Sequence, residues 1–257
     1  MALQPVTISR KAAVAATSRE ERQMRIDLAA CYRLIAYYDM DDMFATHISA
    51  RVPGPEEHFL LNPLGVHYTQ ITASNLVKVD LDGNIVGNTD YVINPAGFVI
   101  HSAVHAARAD AKCVLHTHTV AGMAVASLEE GLLPLTQKSL RFYRRIGYHD
   151  YEGVADDLDE RSCLVASLDR HNALILRNHG LLTCGKTVAQ AFMLMRHLEK
   201  SCQAQLAAMS TGGKLIKLSP NLMEHAAIQF EHQVDNRAGG WPSLLAMLDG
   251  IDPSYRD

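Results

Sequence analysis

The sequence predicts an α/β fold built as one domain over residues 18–257, with an N-terminal arm over residues 1–17 and a helical extension at the C-terminal end. Three observations predict it. Short apolar runs such as Cys113–Leu115 and Asn172–Leu176 have strand length and strand composition. Longer segments repeat apolar residues at helical spacing behind Ser/Thr-x-x-Glu/Gln starts. The 257 residues contain no Pro/Gly/Ser-rich linker that would divide one core into two.

Residues 1–17 lack periodicity. Ser18-Arg-Glu-Glu21 has the form of a capping box, and Met24, Leu28, Cys31, Ile35 and Tyr38 then mark the buried face of a helix that Asp39–Asp42 ends. Thr46–Val52 alternates as a strand, Pro53-Gly-Pro55 turns the chain, and His58–Leu61 forms a second strand. Leu76–Asp80 and Ile85-Val86 flank Asp82-Gly83, a hairpin signal. His47, Ser49 and Arg51 share one strand face, which is either a polar pocket wall or the outer side of an edge strand.

Asn94-Pro-Ala-Gly97 leads into a helix from about Phe98 to Arg108, with His101 and His105 one turn apart. Packing or capping suits this pair better than a second metal site, since the acid of a zincin helix is missing between them. A strand then ends at Thr117 or His118, and a short helix follows over 120–127. Lys138, Arg141, Arg144 and Arg145 fall within eight residues and could meet an anionic ligand, a solvated face or a neighbouring subunit. Tyr148–Gly153 is dense in acid/base groups, and residues 156–169 read as an exposed helix. The strands over 172–177 and 181–184 make a hairpin-like unit. Thr187-Val-Ala-Gln190 opens a long helix that ends at Gly212-Gly213, and shorter helices cover about 220–234 and 241–248.

Net charge is −4 with no basic block, which gives no support to nucleic-acid binding or to attraction to an anionic bilayer. No run reaches the roughly 20 apolar residues of a membrane helix, and the first ten residues lack the order of a signal peptide. The five cysteines are scattered and odd in number, as expected of reduced thiols in a cytoplasmic protein. Strand alternation turns Cys113 away from His116 and leaves it a structural thiol.

The same alternation points His116 and His118 to one side, close enough to share a metal ion. His179 is the best third imidazole, because Asn178-His-Gly180 also follows an apolar strand directly. In that turn glycine supplies positive φ, which asparagine also tolerates. Three histidines with a fourth position open are what a catalytic divalent ion requires.

These residues carry a resemblance. Together with Thr46-His-Ile-Ser-Ala-Arg51, Asn62-Pro-Leu-Gly65, Val79–Gly83, Asn94–Phe98, Arg108-Ala-Asp110, Leu115–His118 and Ile175–Leu181, the chain resembles the class II aldolase/adducin head-domain family over roughly residues 20–215. The bacterial adducin-like members are the nearest in pattern. The resemblance implies a three-layer α/β/α fold around a mostly antiparallel sheet, a homotetramer with sites between subunits, and metal ligation by His116, His118 and His179. Zinc is the first expectation, with manganese or another divalent ion as alternatives. Sugar-phosphate aldolases of the family carry Pro-Ser-Ser-Glu where this chain has Asn94-Pro-Ala-Gly97. Their proton-carrying glutamate falls at Gly97, and their phosphate-binding serines fall at Pro95 and Ala96. Their Gly-Asn becomes Thr46-His47, and a tyrosine aligns with Lys138. Adducins add a neck and a basic tail that this chain, ending at Asp257, does not carry.

Two readings follow. One is a metal-dependent lyase, for aldol cleavage or decarboxylation of a small unphosphorylated oxo/hydroxy compound. His149, Tyr151 and Glu152 would be its proton carriers, with His149 first because the unperturbed pKa of a histidine side chain lies nearest neutrality. His47, His101, Lys138 and Arg141 would contact substrate. The other is a non-catalytic oligomeric binding module like an adducin head.

Overall fold

The computed structural model describes residues 17–153, 160–233 and 240–257. Its centre is a seven-stranded sheet: β1 (His47–Arg51), β2 (Phe59–Leu61), β3 (Val77–Val79), β4 (Cys113–Thr117), β5 (Gly147–His149), β6 (Ala173–Leu176) and β7 (Gly180–Gly185). The spatial order is β3-β2-β1-β4-β7-β6-β5. Every neighbouring pair is antiparallel except β5 with β6.

Helices cover both faces, and strand alternation decides which residues meet them. Cys113 and Leu115 of β4, Ala173 and Ile175 of β6, and Ile48 and Ala50 of β1 face one layer. That layer contains α1 (Arg19–Tyr37), α3 (Val120–Ala126), α6 (Val188–Ser210) and α8 (Gly240–Ile251). Val114, Leu174, Leu176, Leu182 and Cys184 face the other way, onto Ile100 and Val104 of α2 (Pro95–Ala107) and Leu164 and Leu168 of α5 (Glu160–Leu168). The expected three-layer α/β/α arrangement with a mostly antiparallel sheet is therefore present. Cys113 and His116 stand on opposite faces as alternation requires.

The helix starts follow the sequence signals, with one difference. Ser18 Oγ accepts the Glu21 N–H at 3.1 Å, and Thr187 Oγ1 accepts that of Gln190 at 3.1 Å. The return half of each expected capping box is replaced. Glu21 pairs with Arg25 and Lys78 instead, and Gln190 Oε1 accepts from Lys186 N. Three elements differ in extent or kind. The helix expected from Phe98 begins three residues earlier at Pro95, with the Asn94 carbonyl taking the Phe98 N–H. The Asp82-Gly83 hairpin is reduced to a single bridge between Val79 and Ile85. The stretch at Tyr148 contains a strand, β5, that its acid/base density concealed.

The expected arm lies outside the described residues except for Thr17, as do residues 156–159 of the expected exposed helix and Val234 of the penultimate one. α7 covers Pro220–Gln233, and α4 is a single turn at Gln137–Leu140. No described helix is long and apolar enough to cross a membrane. All five cysteines are free thiols, and four of them are buried.

Candidate metal centre

β1 lies between β2 and β4, so the polar face of His47, Ser49 and Arg51 is an inner wall rather than a sheet edge. His47 stands opposite His116, and Ser49 opposite Val114, on the face that α2 covers. His116 closes β4, and His118 follows it on the same side.

His179 arrives from the turn joining β6 to β7. That turn is held by the Asn178 N–H on Ala126 O and the His179 N–H on Leu176 O, both 3.1 Å. Its positive φ falls on Asn178 (55°), not on the glycine. Gly180 is needed for another reason: a Cβ there would lie 2.4 Å from the Thr117 carbonyl and 3.1 Å from the His118 ring. The glycine lets β7 approach β4 closely enough for the three imidazoles to meet.

They do meet. His118 Nε2 is 2.8 Å from His116 Nε2 and 2.9 Å from His179 Nε2. Among the described residues these three form the one group of histidine, cysteine or carboxylate side chains that could hold a metal ion. The opposite ring nitrogens decide what the facing atoms are. His116 Nδ1 lies 2.9 Å from the Leu181 carbonyl and His118 Nδ1 lies 3.1 Å from Asp42 Oδ2. Both partners are pure acceptors, so each Nδ1 carries a hydrogen, and either ring in its neutral form turns a bare lone pair inward. Two lone pairs at 2.8 Å repel unless a cation lies between them. A proton on His116 Nε2 would make that ring an imidazolium, which its surroundings oppose. Burial, then the neighbouring His47, His118 and His179, hold its pKa well below the usual histidine value. Burial and His118 likewise lower His179 to about 4. Imidazole nitrogens converging around a small space, with outer hydrogen bonds holding Nδ1 of His116 and His118, suit a divalent ion.

The other residues expected at the site are placed as follows. His47 is buried with its ring centroid 5.2 Å from that of His116. His101 is fully buried on α2 and hydrogen-bonds His47, so it reaches the site through His47. His149 ends β5, buried, with Nδ1 3.2 Å from Ser167 Oγ, and its carbonyl accepts the N–H of Arg177, two residues before His179. Tyr151 and Glu152 are exposed beyond it. Lys138 is exposed on α4. Arg141 does not join the triad. It lines a separate cleft of about 450 Å³ with Arg144, Arg170, His171 and Phe230, near the start of β6, whereas His179 follows its end. Asp42 was missed by the sequence reading, which used it only to end a helix. A carboxylate five residues before a strand histidine carries no local signal.

Residues 26–206 match the model of the Class II Aldolase and Adducin N-terminal domain. A Caulobacter vibrioides protein named as a candidate class 2 aldolase is 50% identical over 245 residues, 93% of this chain and 94% of that one. Alpha-adducin of Rattus norvegicus is 40% identical over 222 residues, 84% of this chain but 30% of the adducin. Among solved structures, an aldolase II superfamily protein from Pseudomonas syringae superposes with a TM-score of 0.89 at 47% identity, covering 94% of this chain and 98% of that one. L-fuculose 1-phosphate aldolase from Glaciozyma antarctica gives 0.83 at 28% identity, covering 96% and 98%.

Proposed function

Because the chain belongs to the class II aldolase and adducin N-terminal domain family, we propose that it is a divalent-metal-dependent carbon–carbon lyase acting on a small, unphosphorylated oxo/hydroxy compound. One observation carries the reading: the Nε2 atoms of His116, His118 and His179 converge, with His118 Nε2 2.8 Å from that of His116 and 2.9 Å from that of His179. A divalent ion held by His116, His118 and His179, zinc first, would supply Lewis-acid stabilisation of a carbonyl or enolate. The chain's own residues set the rest. Leu181 O and Asp42 orient two of the rings.

His149 is assigned proton transfer ahead of Tyr151 and Glu152, because its backbone is joined to the turn that carries His179. An unphosphorylated substrate is favoured by Pro95 and Ala96, which offer no hydroxyl, and by the missing N–H of Pro95. The likeness to an L-fuculose 1-phosphate aldolase makes that sugar phosphate the control substrate to include. A homotetramer fits the apolar residues Met43, Phe44 and Val120, exposed within two positions of Asp42 and His118.

The 40% identity to alpha-adducin favours a second reading, a binding module without turnover. Against it stands the three-histidine set, since a structural ion usually takes four protein ligands. Metal analysis of protein purified without a histidine tag, beside His116→Ala, tests the site. Turnover of hydroxy-acid and aldol panels with the metal present then tests the lyase. Stoichiometric metal that His116→Ala loses, together with cleavage of one panel member, supports the proposal. Metal without turnover across the panel favours the binding module, and no metal at all overturns both the site and the lyase.

A further inference from the structure

Behind the metal centre, four buried side chains form a line that no metal ligation explains. His105 Nδ1 lies 3.1 Å from the Ala111 carbonyl, and its Nε2 lies 2.7 Å from Ser49 Oγ. Ser49 Oγ lies 2.5 Å from His101 Nδ1, and His101 Nε2 lies 2.8 Å from His47 Nδ1. All four residues are 3% exposed or less. Burial, ahead of any neighbouring charge, lowers the pKa of each histidine, to about 3 for His47 and His105 and well below the usual value for His101. Among the described residues, the charged side chain hydrogen-bonded to the line is Arg51, whose guanidinium donates to the His105 carbonyl. Four contacts join the line, and three neutral imidazoles with one hydroxyl supply the four hydrogens that fill them.

Neutrality and one carbonyl fix every hydrogen in the line. A carbonyl only accepts, so His105 carries its hydrogen on Nδ1 and its Nε2 must accept. Ser49 supplies that hydrogen and has none left to give, so it accepts from His101 Nδ1–H. His101 Nε2 is then bare and accepts from His47 Nδ1–H. The last nitrogen, His47 Nε2, is left with a lone pair, and no described group hydrogen-bonds to it. The His47 ring lies beside that of His116, and Nε2 sits under the first turn of α2, where a Cβ on Gly97 would come within 3.2 Å of it and 2.6 Å of His47 Cδ2. The absent side chain at position 97 is the space His47 occupies.

We propose that the Ala111–His105–Ser49–His101 chain holds His47 as an obligatory hydrogen-bond acceptor facing the metal centre, where it receives the hydroxyl hydrogen of the substrate. His47 touches substrate in this scheme, while Ser49, His101 and His105 are positioning residues. The required ligand class is a compound that presents a hydroxyl donor beside the oxygen directed to the three-histidine site, a hydroxy acid or hydroxy carbonyl compound. A donor group on the protein side, as asparagine or protonated histidine would offer, is excluded by the direction of the line. The hydroxyl part of the assignment rests on the lyase reading, and the direction of the hydrogen bonds does not.

Long-range ¹⁵N–¹H correlation spectra of the full chain, labelled at histidine nitrogens and loaded with zinc, test it directly, with His47→Gln assigning the resonances. The expected result is His47, His101 and His105 all carrying hydrogen on Nδ1, with bare Nε2. Hydrogen on Nε2 of His47 at neutral pH overturns the proposal. Ser49→Ala should release His101 and His47 from that tautomer while His105 keeps its bond to Ala111, and Ser49→Thr should restore the wild-type pattern. If Ser49→Ala folds and leaves the pattern unchanged, the chain does not impose it and the proposal fails. If it does not fold, the wild-type spectrum and Ser49→Thr still decide.

Titration with glycolate and with acetate separates the hydroxyl assignment. A shift of the His47 Nε2 resonance with glycolate alone supports it, whereas an equal response to both, or none to either, overturns it. The expected tautomers without any turnover would sink the lyase reading and leave the hydrogen-bond direction standing. Turnover with the wrong tautomers would do the reverse.

Discussion

Asp42 Oδ2 sits 3.1 Å from His118 Nδ1, on the side of the ring away from the other two histidines. The contact places a hydrogen on Nδ1 of His118 and would raise the basicity of the nitrogen turned toward a metal ion held by the triad. Asp42 is partly exposed and lies in the loop between α1 and β1, so replacing it should disturb the ring rather than the fold. Asp42→Asn is expected to weaken zinc binding by about 10–100-fold, the usual cost of losing an outer carboxylate. Competition against a chelator of known affinity measures it, and circular dichroism checks that the fold is unchanged. Affinity equal to wild type would mean that His118 is oriented by something else.

Acid should loosen the metal-free protein. Burial first, and neighbouring histidines second, depress His47 to about 3, as burial and Arg51 do for His105, while His101 is also held well below its ordinary value. Each folded-state value lies below the unfolded one of about 6.5, so between these limits the unfolded chain binds more protons. Their contribution to stability is therefore complete above about pH 6.5 and is lost as pH falls toward 3. The slope is roughly 1 kcal/mol per pH unit for each such histidine. Urea unfolding of chelator-treated protein should show the midpoint falling steadily from pH 7 to pH 5. A midpoint flat across that range would show that these groups are not buried neutral in solution.

Much of this site could be seen in the sequence, and the limits have physical causes. His116 and His118 were legible because a strand puts residues two apart on one face, a rule that needs no tertiary knowledge. His179 was legible because its turn follows an apolar strand of matching kind. His47 was visible only as sharing a face with Ser49 and Arg51. Whether that face was wall or edge depends on where β1 sits in the sheet, which strand order decides and local pattern does not. The join from Ser49 to His101 and His105 arises when α2 docks across β1, at a separation of 52 and 56 residues. β5 escaped notice because three residues are too few to show alternation. The local density of Lys138, Arg141, Arg144 and Arg145 gave no sign that Arg141 would face a cleft away from the triad.

Gly97 offers a sharp steric test. A Cβ there would meet the His47 ring at 2.6 and 2.8 Å, closer than real contacts allow. The ring cannot retreat cheaply, because its Nδ1 is tied to His101 and the residue is buried. Gly97→Ala should therefore displace His47 and destabilise the protein by about 1–3 kcal/mol, in the range of overpacked cores. Thermal unfolding reads the stability, and the His47 nitrogen resonances read the displacement. An unperturbed His47 in a fully stable variant would show that the first turn of α2 yields without cost.

The strand carrying His47 and Ser49 is itself pinned by one hydroxyl. Tyr32, fully buried on α1, places its Oη where it accepts the Ile48 N–H at 2.8 Å and donates to the Ile48 carbonyl. It also lies 2.9 Å from Asn62 Oδ1 beside β2. One hydroxyl hydrogen cannot serve both oxygens at once, so the carbonyl and the amide share it, or the Asn62 amide turns to donate its own hydrogen. Tyr32→Phe removes the group while keeping the ring, its packing and the edge-on contact with Tyr68. The Ile48 N–H would then be buried without a partner, which costs about 1–3 kcal/mol. Because Ile48 lies between His47 and Ser49, the same change should broaden the His47 and His101 resonances by loosening β1. Denaturant unfolding and the histidine nitrogen spectra together check both effects. Stability lost with a sharp, unchanged His47 signal would show that pairing with β2 and β4 holds β1 in register without the hydroxyl.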